Sequence, residues 1–201
     1  MKLNWAERWV VNNPSRVFQQ KIEIGWLKKK MPLKPGGAVL EIGCGRGAGA
    51  GLIRRTFNPG LMHAQDLDIE MIQRAKRYLG DDYRRHISLS VADSVRIPFK
   101  DRSFDAVFDF GVLHHVPDWQ AALSEIERIL KPGGIFYIEE LYPALYLNFI
   151  TRHILLHPVE NRFRSGDFRS ALQDRKMPLQ ASFEVPGLWL LGIAVKNPVP
   201  S

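Results

Sequence analysis

The sequence predicts an α/β fold, with a parallel sheet covered by helices on both faces. Two observations carry this reading. Short β-rich runs alternate with helical segments through the first 140 residues, and closely spaced glycines join the first run to a helix. Length adds a third: 201 residues suffice for one domain with a full hydrophobic core and are too few for two. Residues 1–201 are therefore read as one domain, with an N-terminal helical segment (1–34) and a substrate-side helix and loop (141–178).

Residues 5–30 read as helical, with a break near Asn13-Pro14 and Ser15 as N-cap, and Pro32 to Gly37 as a turn. Ala38 to Ile42 is a short buried strand, and the glycines at 43, 45, 47 and 49 lead into a helix through Leu52, Ile53 and Phe57 that Asn58-Pro59-Gly60 ends. Leu61 to Gln65 is a second strand, ending at Asp66. Met71, Ile72, Ala75 and Leu79 give a helix over 69–79. Ile87 to Val91 alternates as a third strand and Phe104 to Phe110 forms a fourth. Trp119 to Leu130 is an amphipathic helix stopped by Lys131-Pro132-Gly133-Gly134, and Ile135 to Glu139 is a fifth strand. An apolar helix (about 142–156), a polar loop, a helix from Asp167 and a hairpin (Leu179 to Val185, Leu188 to Val195) complete the chain.

Composition sets bounds on function. The apolar fraction of 45% and charged fraction of 24% are ordinary for a soluble globular protein. No stretch reaches the ~20 apolar residues of a spanning helix. The single cysteine, Cys44, excludes an internal disulfide, and the N-terminus lacks the apolar core of a signal peptide, so a cytoplasmic location is expected. The net charge of +7 suits nucleic acid, anionic lipid or an acidic substrate, but the basic residues are spread along the chain and read as solvated helix faces. No zinc-finger spacing, RNA-binding module or metal cluster is visible, and a nucleic-acid partner is not expected.

The sharpest signal is Val39-Leu40-Glu41-Ile42-Gly43-Cys44-Gly45-Arg46-Gly47, a strand entering a glycine turn that lets a ligand approach the backbone. Asp66 ends the second strand, where an acid can accept from both hydroxyls of a ribose. Asp93 ends the third, where an acid can accept from the exocyclic amine of an adenine. In Asp66-Leu67-Asp68 the strand-end Asp66 is assigned to the ribose and Asp68 to the N-cap of the next helix. Cys44 reads as a small loop residue rather than a nucleophile. Gly43-x-Gly45-x-x-Ala48 also satisfies a dinucleotide fingerprint, but Glu41 before the loop and the second acid, Asp93, count against a nicotinamide cofactor.

These residues, followed by Ile97-Pro98-Phe99, Ser103-Phe104-Asp105-Ala106-Val107, Leu113-His114-His115-Val116 and Arg128-Ile129-Leu130-Lys131-Pro132-Gly133-Gly134, resemble class I S-adenosylmethionine-dependent methyltransferases, in particular the group that includes quinone C-methylases. The resemblance covers residues 35–140 strongly. It implies a Rossmann-like, doubly wound, seven-stranded sheet with the last strand antiparallel, completed by the final hairpin. It implies S-adenosylmethionine as cofactor and S-adenosylhomocysteine as product. Gly43, Cys44, Gly45 and Gly47 would approach the amino-acid part of the cofactor, with Glu41 shaping the loop. Asp66 would hold the ribose with Leu67 against the adenine, Asp93 the adenine amine with Ala92 and Ser94 beside it, and Phe110 and Gly111 would border the methionine portion.

Methyl transfer from a sulfonium needs alignment and exclusion of water, and a base only if the nucleophile must lose a proton. His114 and His115 are the catalytic candidates; a purely structural turn opening the next helix is the competing reading, and the one preferred. Tyr142, Tyr146 and Arg162 are candidate substrate contacts, and the apolar helix after the fifth strand reads as core, as a lid, or as a peripheral membrane contact. The expected acceptor is a small organic molecule, apolar or lipid-like, handled by a monomer or homodimer. The rivals are an RNA or protein methyltransferase, which would lack an appended binding module, and a protein that binds the cofactor without turnover.

Overall fold

The computed structural model describes residues 14–146 and 161–198. Seven strands form one sheet: β1 (Ala38–Ile42), β2 (Leu61–Asp66), β3 (Ser88–Val91), β4 (Phe104–Phe110), β5 (Leu130–Leu141), β6 (Leu179–Val185) and β7 (Trp189–Val195), in the order β3-β2-β1-β4-β5-β7-β6. Strands β1 to β5 pair in parallel, and β7 runs antiparallel to both β5 and β6. The final strand is thus the reversed one, as expected.

Side chains alternate across the sheet and feed two cores. Val39, Ala106, Phe108, Ile135 and Tyr137 face one side, under helices α1 (Pro14–Lys30), α2 (Ala48–Phe57) and α3 (Ile69–Arg84). Leu40, Ile42, Val107, Phe136 and Ile138 face the other, under α4 (Trp119–Ile129) and α6 (Ser165–Asp174). A short α5 (Pro143–Tyr146) follows β5. Central parallel strands buried on both faces need apolar residues at every position, as β1 shows, apart from Glu41, 2% exposed. Among the described residues no helix is long and apolar enough to cross a membrane.

Strand order reverses between β1 and β4, so the connections that leave these two strands diverge and open a crevice at the carboxyl ends of the sheet. Gly47, at φ 85°, starts α2, and Asn58, at φ 46°, ends it with its N–H on the Arg54 carbonyl. Helix α3 bends at Gly80 (φ 66°) and adds a further turn beyond the expected end at Leu79.

Three further boundaries differ from the sequence expectation. Helix α1 already includes Pro14, so Ser15 lies within the helix and is not its cap. Lys131 to Gly134 do not interrupt β5. They form a bulge between the Phe104–Leu130 and Ala106–Ile135 pairs, held because Gly133 N–H donates to the Lys196 carbonyl at 2.8 Å and Lys196 N–H to Gly134 at 2.9 Å. Helix α6 begins two residues early, at Ser165, with Asp167 reaching back to the Arg164 N–H at 2.9 Å. Of the apolar helix expected over 142–156, residues 147–156 lie outside the described residues.

Candidate functional site

The crevice holds a cavity of about 360 Å³. The loop after β1 forms its floor. At Gly45 (φ 52°) an added Cβ would project into open space, so the backbone there is bare to whatever fills the cavity. At Gly47 (φ 85°) a Cβ would instead meet Ala75 Cβ and Leu79 Cδ1 at 3.1 Å. Gly47 therefore permits close packing of α2 on α3 and does not line the cavity, whereas Gly43, Cys44 and Gly45 do.

Glu41 accepts from the Ala50 N–H, and its Oε1 lies so close to Gly49 that no side chain fits there. Burial, reinforced by the charge of Asp66, raises its pKa well above the usual carboxylate range. Its other oxygen, Oε2, has no hydrogen-bond partner among the described residues, although Glu41 lines the cavity. Cys44 is buried, and burial with the charges of Glu41 and Asp66 raises its pKa well above the ordinary thiol value, which keeps it a thiol and not a nucleophile.

The two strand-end acids converge on the same cavity. Asp66 Oδ2 accepts from Gly45 N–H at 2.8 Å and Oδ1 from Asp68 N–H at 2.9 Å, so this carboxylate ties the glycine loop to the end of β2. Burial raises its pKa. Asp68 accepts from Glu70 N–H at 3.0 Å at the start of α3, as expected of its cap, and also lines the cavity. Asp93 lines the cavity with Ser94 and Val95, its Oδ1 taking the Val95 N–H at 3.1 Å. Leu67 and Phe110 line it as well. Ala92 does not; its N–H donates to the Asp66 carbonyl at 3.1 Å and sets the spacing between the two acids.

The adjacent histidines separate. His115 lines the cavity. His114 turns away, its Nδ1 2.7 Å from Glu140 Oε2 in a buried pair. Glu140 also accepts from Leu113 N–H at 2.7 Å, and Asp109 from Val112 N–H at 2.9 Å. Burial, with the charges of Glu140 and Glu139, raises the pKa of Asp109, and burial, with the charge of Glu139, raises that of Glu140.

Of the substrate candidates, Tyr142 and Arg162 do not line this cavity. Tyr142 is 1% exposed and packs in the core with Phe163, so its apolar ring serves the fold; this corrects the acceptor role read for it. Arg162 stands outside the lining, next to the buried Phe163, and Tyr146 ends α5 at the limit of the described residues. Conversely, the sequence reading missed Arg16 and Gln20, which reach the cavity from α1, and Arg46, Met71, Val112, Val116, Pro117 and Asp118. Arg16 is paired with Glu139 and Glu23, and Trp189 Nε1 donates to Glu139 at 3.1 Å. Burial opposes the charge on Arg16, but Glu139 and Glu23 outweigh it and hold its pKa above the ordinary value.

Five acids line the cavity (Glu41, Asp66, Asp68, Asp93 and Asp118) against two arginines, one paired with two acids and one stacked on Tyr78 at 5.2 Å. Such a site suits hydroxyl and amine donors and a positive ligand better than a diphosphate, which argues against the dinucleotide reading.

Residues 40–138 match a methyltransferase domain family. The chain is 35% identical over 112 residues to a fatty-acid O-methyltransferase of Mycolicibacterium smegmatis, covering 54% of this chain and 38% of that protein. It is 35% identical over 116 residues to a sterol 24-C-methyltransferase of Aspergillus fumigatus, covering 57% and 30%. The chain thus spans well under half the length of these relatives. Among solved structures, a chain from the complex of the Haloferax volcanii Trm112 methyltransferase activator with a methyltransferase superposes with a TM-score of 0.76 at 23% identity, covering 98% of this chain and 96% of that one. A SAM-dependent methyltransferase from Aquifex aeolicus gives 0.74 at 17% identity, covering 97% and 100%.

Proposed function

We propose that this chain, which carries a class I S-adenosylmethionine-dependent methyltransferase domain, moves the methyl group of S-adenosylmethionine to a small apolar, lipid-like acceptor and releases S-adenosylhomocysteine. The observation that carries the reading is the convergence of Glu41, Asp66 and Asp93, from the carboxyl ends of three strands, on one cavity floored by bare glycine backbone.

The residues fit the cofactor. The open space at Gly45 and the unpartnered Oε2 of Glu41 leave room and an acceptor for its amino-acid part. Asp66 would take the ribose hydroxyls with Leu67 against the adenine, and Asp93 with Ser94 the adenine amine. Phe110 and Gly111 would border the methionine portion.

The bound cofactor supplies a methyl group already activated by a sulfonium. The chain's task is then alignment and dryness. Val112, Val116, Met71 and Phe110 line the cavity with apolar surface that excludes water. His115, on the same lining, would take up a proton where the acceptor must release one, while His114 and Glu140 hold the loop that presents it. The lipid-like acceptor rests on the names of the fatty-acid and sterol relatives and on this apolar lining.

The test is incubation of the purified chain with methyl-labelled S-adenosylmethionine and a panel of fatty acids, sterols and transfer RNA. Label in the organic phase supports the reading. Label only in the RNA overturns the acceptor class, and no label in any fraction overturns transfer to these acceptors.

A further inference from the structure

The inner face of α1 serves the cavity through Arg16 and Gln20, while its outer face is unusual for a surface helix. Phe18 is 68% exposed and Ile22 60%, one turn apart. With Gly25 and Lys29 they fall at i, i+4, i+7 and i+11, one stripe along the helix. Lys21 and Lys28 flank the stripe and are exposed, and the helix's single acid, Glu23, is buried away from it against Arg16. Lys28 reaches the Thr56 carbonyl at 2.5 Å, and Lys30 lies 5.9 Å from the Trp26 ring.

We infer that the outer face of α1 docks on an anionic lipid surface, with Phe18 and Ile22 entering the interface and Lys21, Lys28 and Lys29 meeting the headgroups. Charge complementarity selects this occupant: a helix face with two protruding apolar side chains, three exposed lysines and no exposed acid matches a fluid negative surface. The inference is compatible with the proposed lipid-like acceptor but does not need methyl transfer to be true.

The test is co-sedimentation of the full chain with vesicles of phosphatidylcholine alone and of phosphatidylcholine mixed with phosphatidylglycerol, without cofactor. The chain should bind the mixed vesicles and not the neutral ones. Lys21→Glu/Lys29→Glu should lower the partition coefficient more than about tenfold. Phe18→Ser/Ile22→Ser should lower it without changing net charge. Lys76→Glu/Arg77→Glu, on the exposed side of α3, makes the same change in net charge and should retain most binding. Absence of binding to mixed vesicles overturns the proposal, as does equal loss in the α1 and α3 charge variants. Intact vesicle binding with no methyl transfer would remove the proposed function and leave this surface standing.

Discussion

Glu140 and His114 meet at 2.7 Å in a buried pair directly behind the loop that carries His115 to the cavity. Burial pushes Glu140 up to about 8, with the charge of Glu139 adding to it, and pushes Glu23 up to about 7 for the same two reasons. A carboxyl whose folded pKa exceeds its unfolded value binds its proton more tightly when folded. Its contribution to stability is complete below the ordinary carboxylate pKa and is lost as pH rises through the folded value. Urea midpoints should therefore fall between about pH 5 and pH 8, and Glu140→Gln should flatten the fall. A midpoint that rises across this window contradicts the account.

The two adjacent histidines should fail differently. His114→Ala removes the ring partner of the buried Glu140 and should cost about 1–3 kcal/mol of stability. His115→Ala should stay within about 1 kcal/mol of the parent stability and lower kcat. Denaturation curves and turnover of the two variants separate these effects; equal destabilisation by both would show that His115 is also a structural group.

Asp66→Ala should weaken S-adenosylmethionine binding, since a hydrogen bond to a charged group is worth about 1.5–3 kcal/mol, or roughly 10- to 150-fold in affinity. It also releases the Gly45 and Asp68 N–H groups, so the loss should lie at the upper end. Calorimetry on a folded variant with unchanged affinity would remove Asp66 from the ribose position.

Gly45 and Gly47 both hold positive φ, yet they should respond in different assays. Gly45→Ala projects a methyl into the cavity and should reduce cofactor affinity most. Gly47→Ala presses on Ala75 and Leu79 and should cost about 1–3 kcal/mol of stability first. A Gly45 variant with full affinity would remove the loop from the site.

Much of the site was legible because its residues sit at strand ends, where periodicity breaks in a recognisable way: Glu41, Asp66 and Asp93 each close an apolar or alternating run. Arg16 and Gln20 were not legible, because the contact that brings α1 to the cavity joins Arg16 to Glu139 across 123 positions, and no local pattern records it. His114 and His115 were read as equivalents because one residue of offset in a 3-10 turn decides which ring faces the core. Tyr142 sits at the ligand edge by sequence, but Phe163 and Phe168, beyond the strand it follows, build the aromatic core that takes it in. The bulge at Lys131 to Gly134 escaped because its support comes from Lys196, at the far end of the chain.

The most direct test of the central claim is calorimetric titration of the purified chain with S-adenosylmethionine, S-adenosylhomocysteine and NAD. The account predicts saturable binding of the first two, weakened by Asp66→Ala, and none of the third. Binding of NAD alone would contradict it and turn the glycine loop into a dinucleotide site.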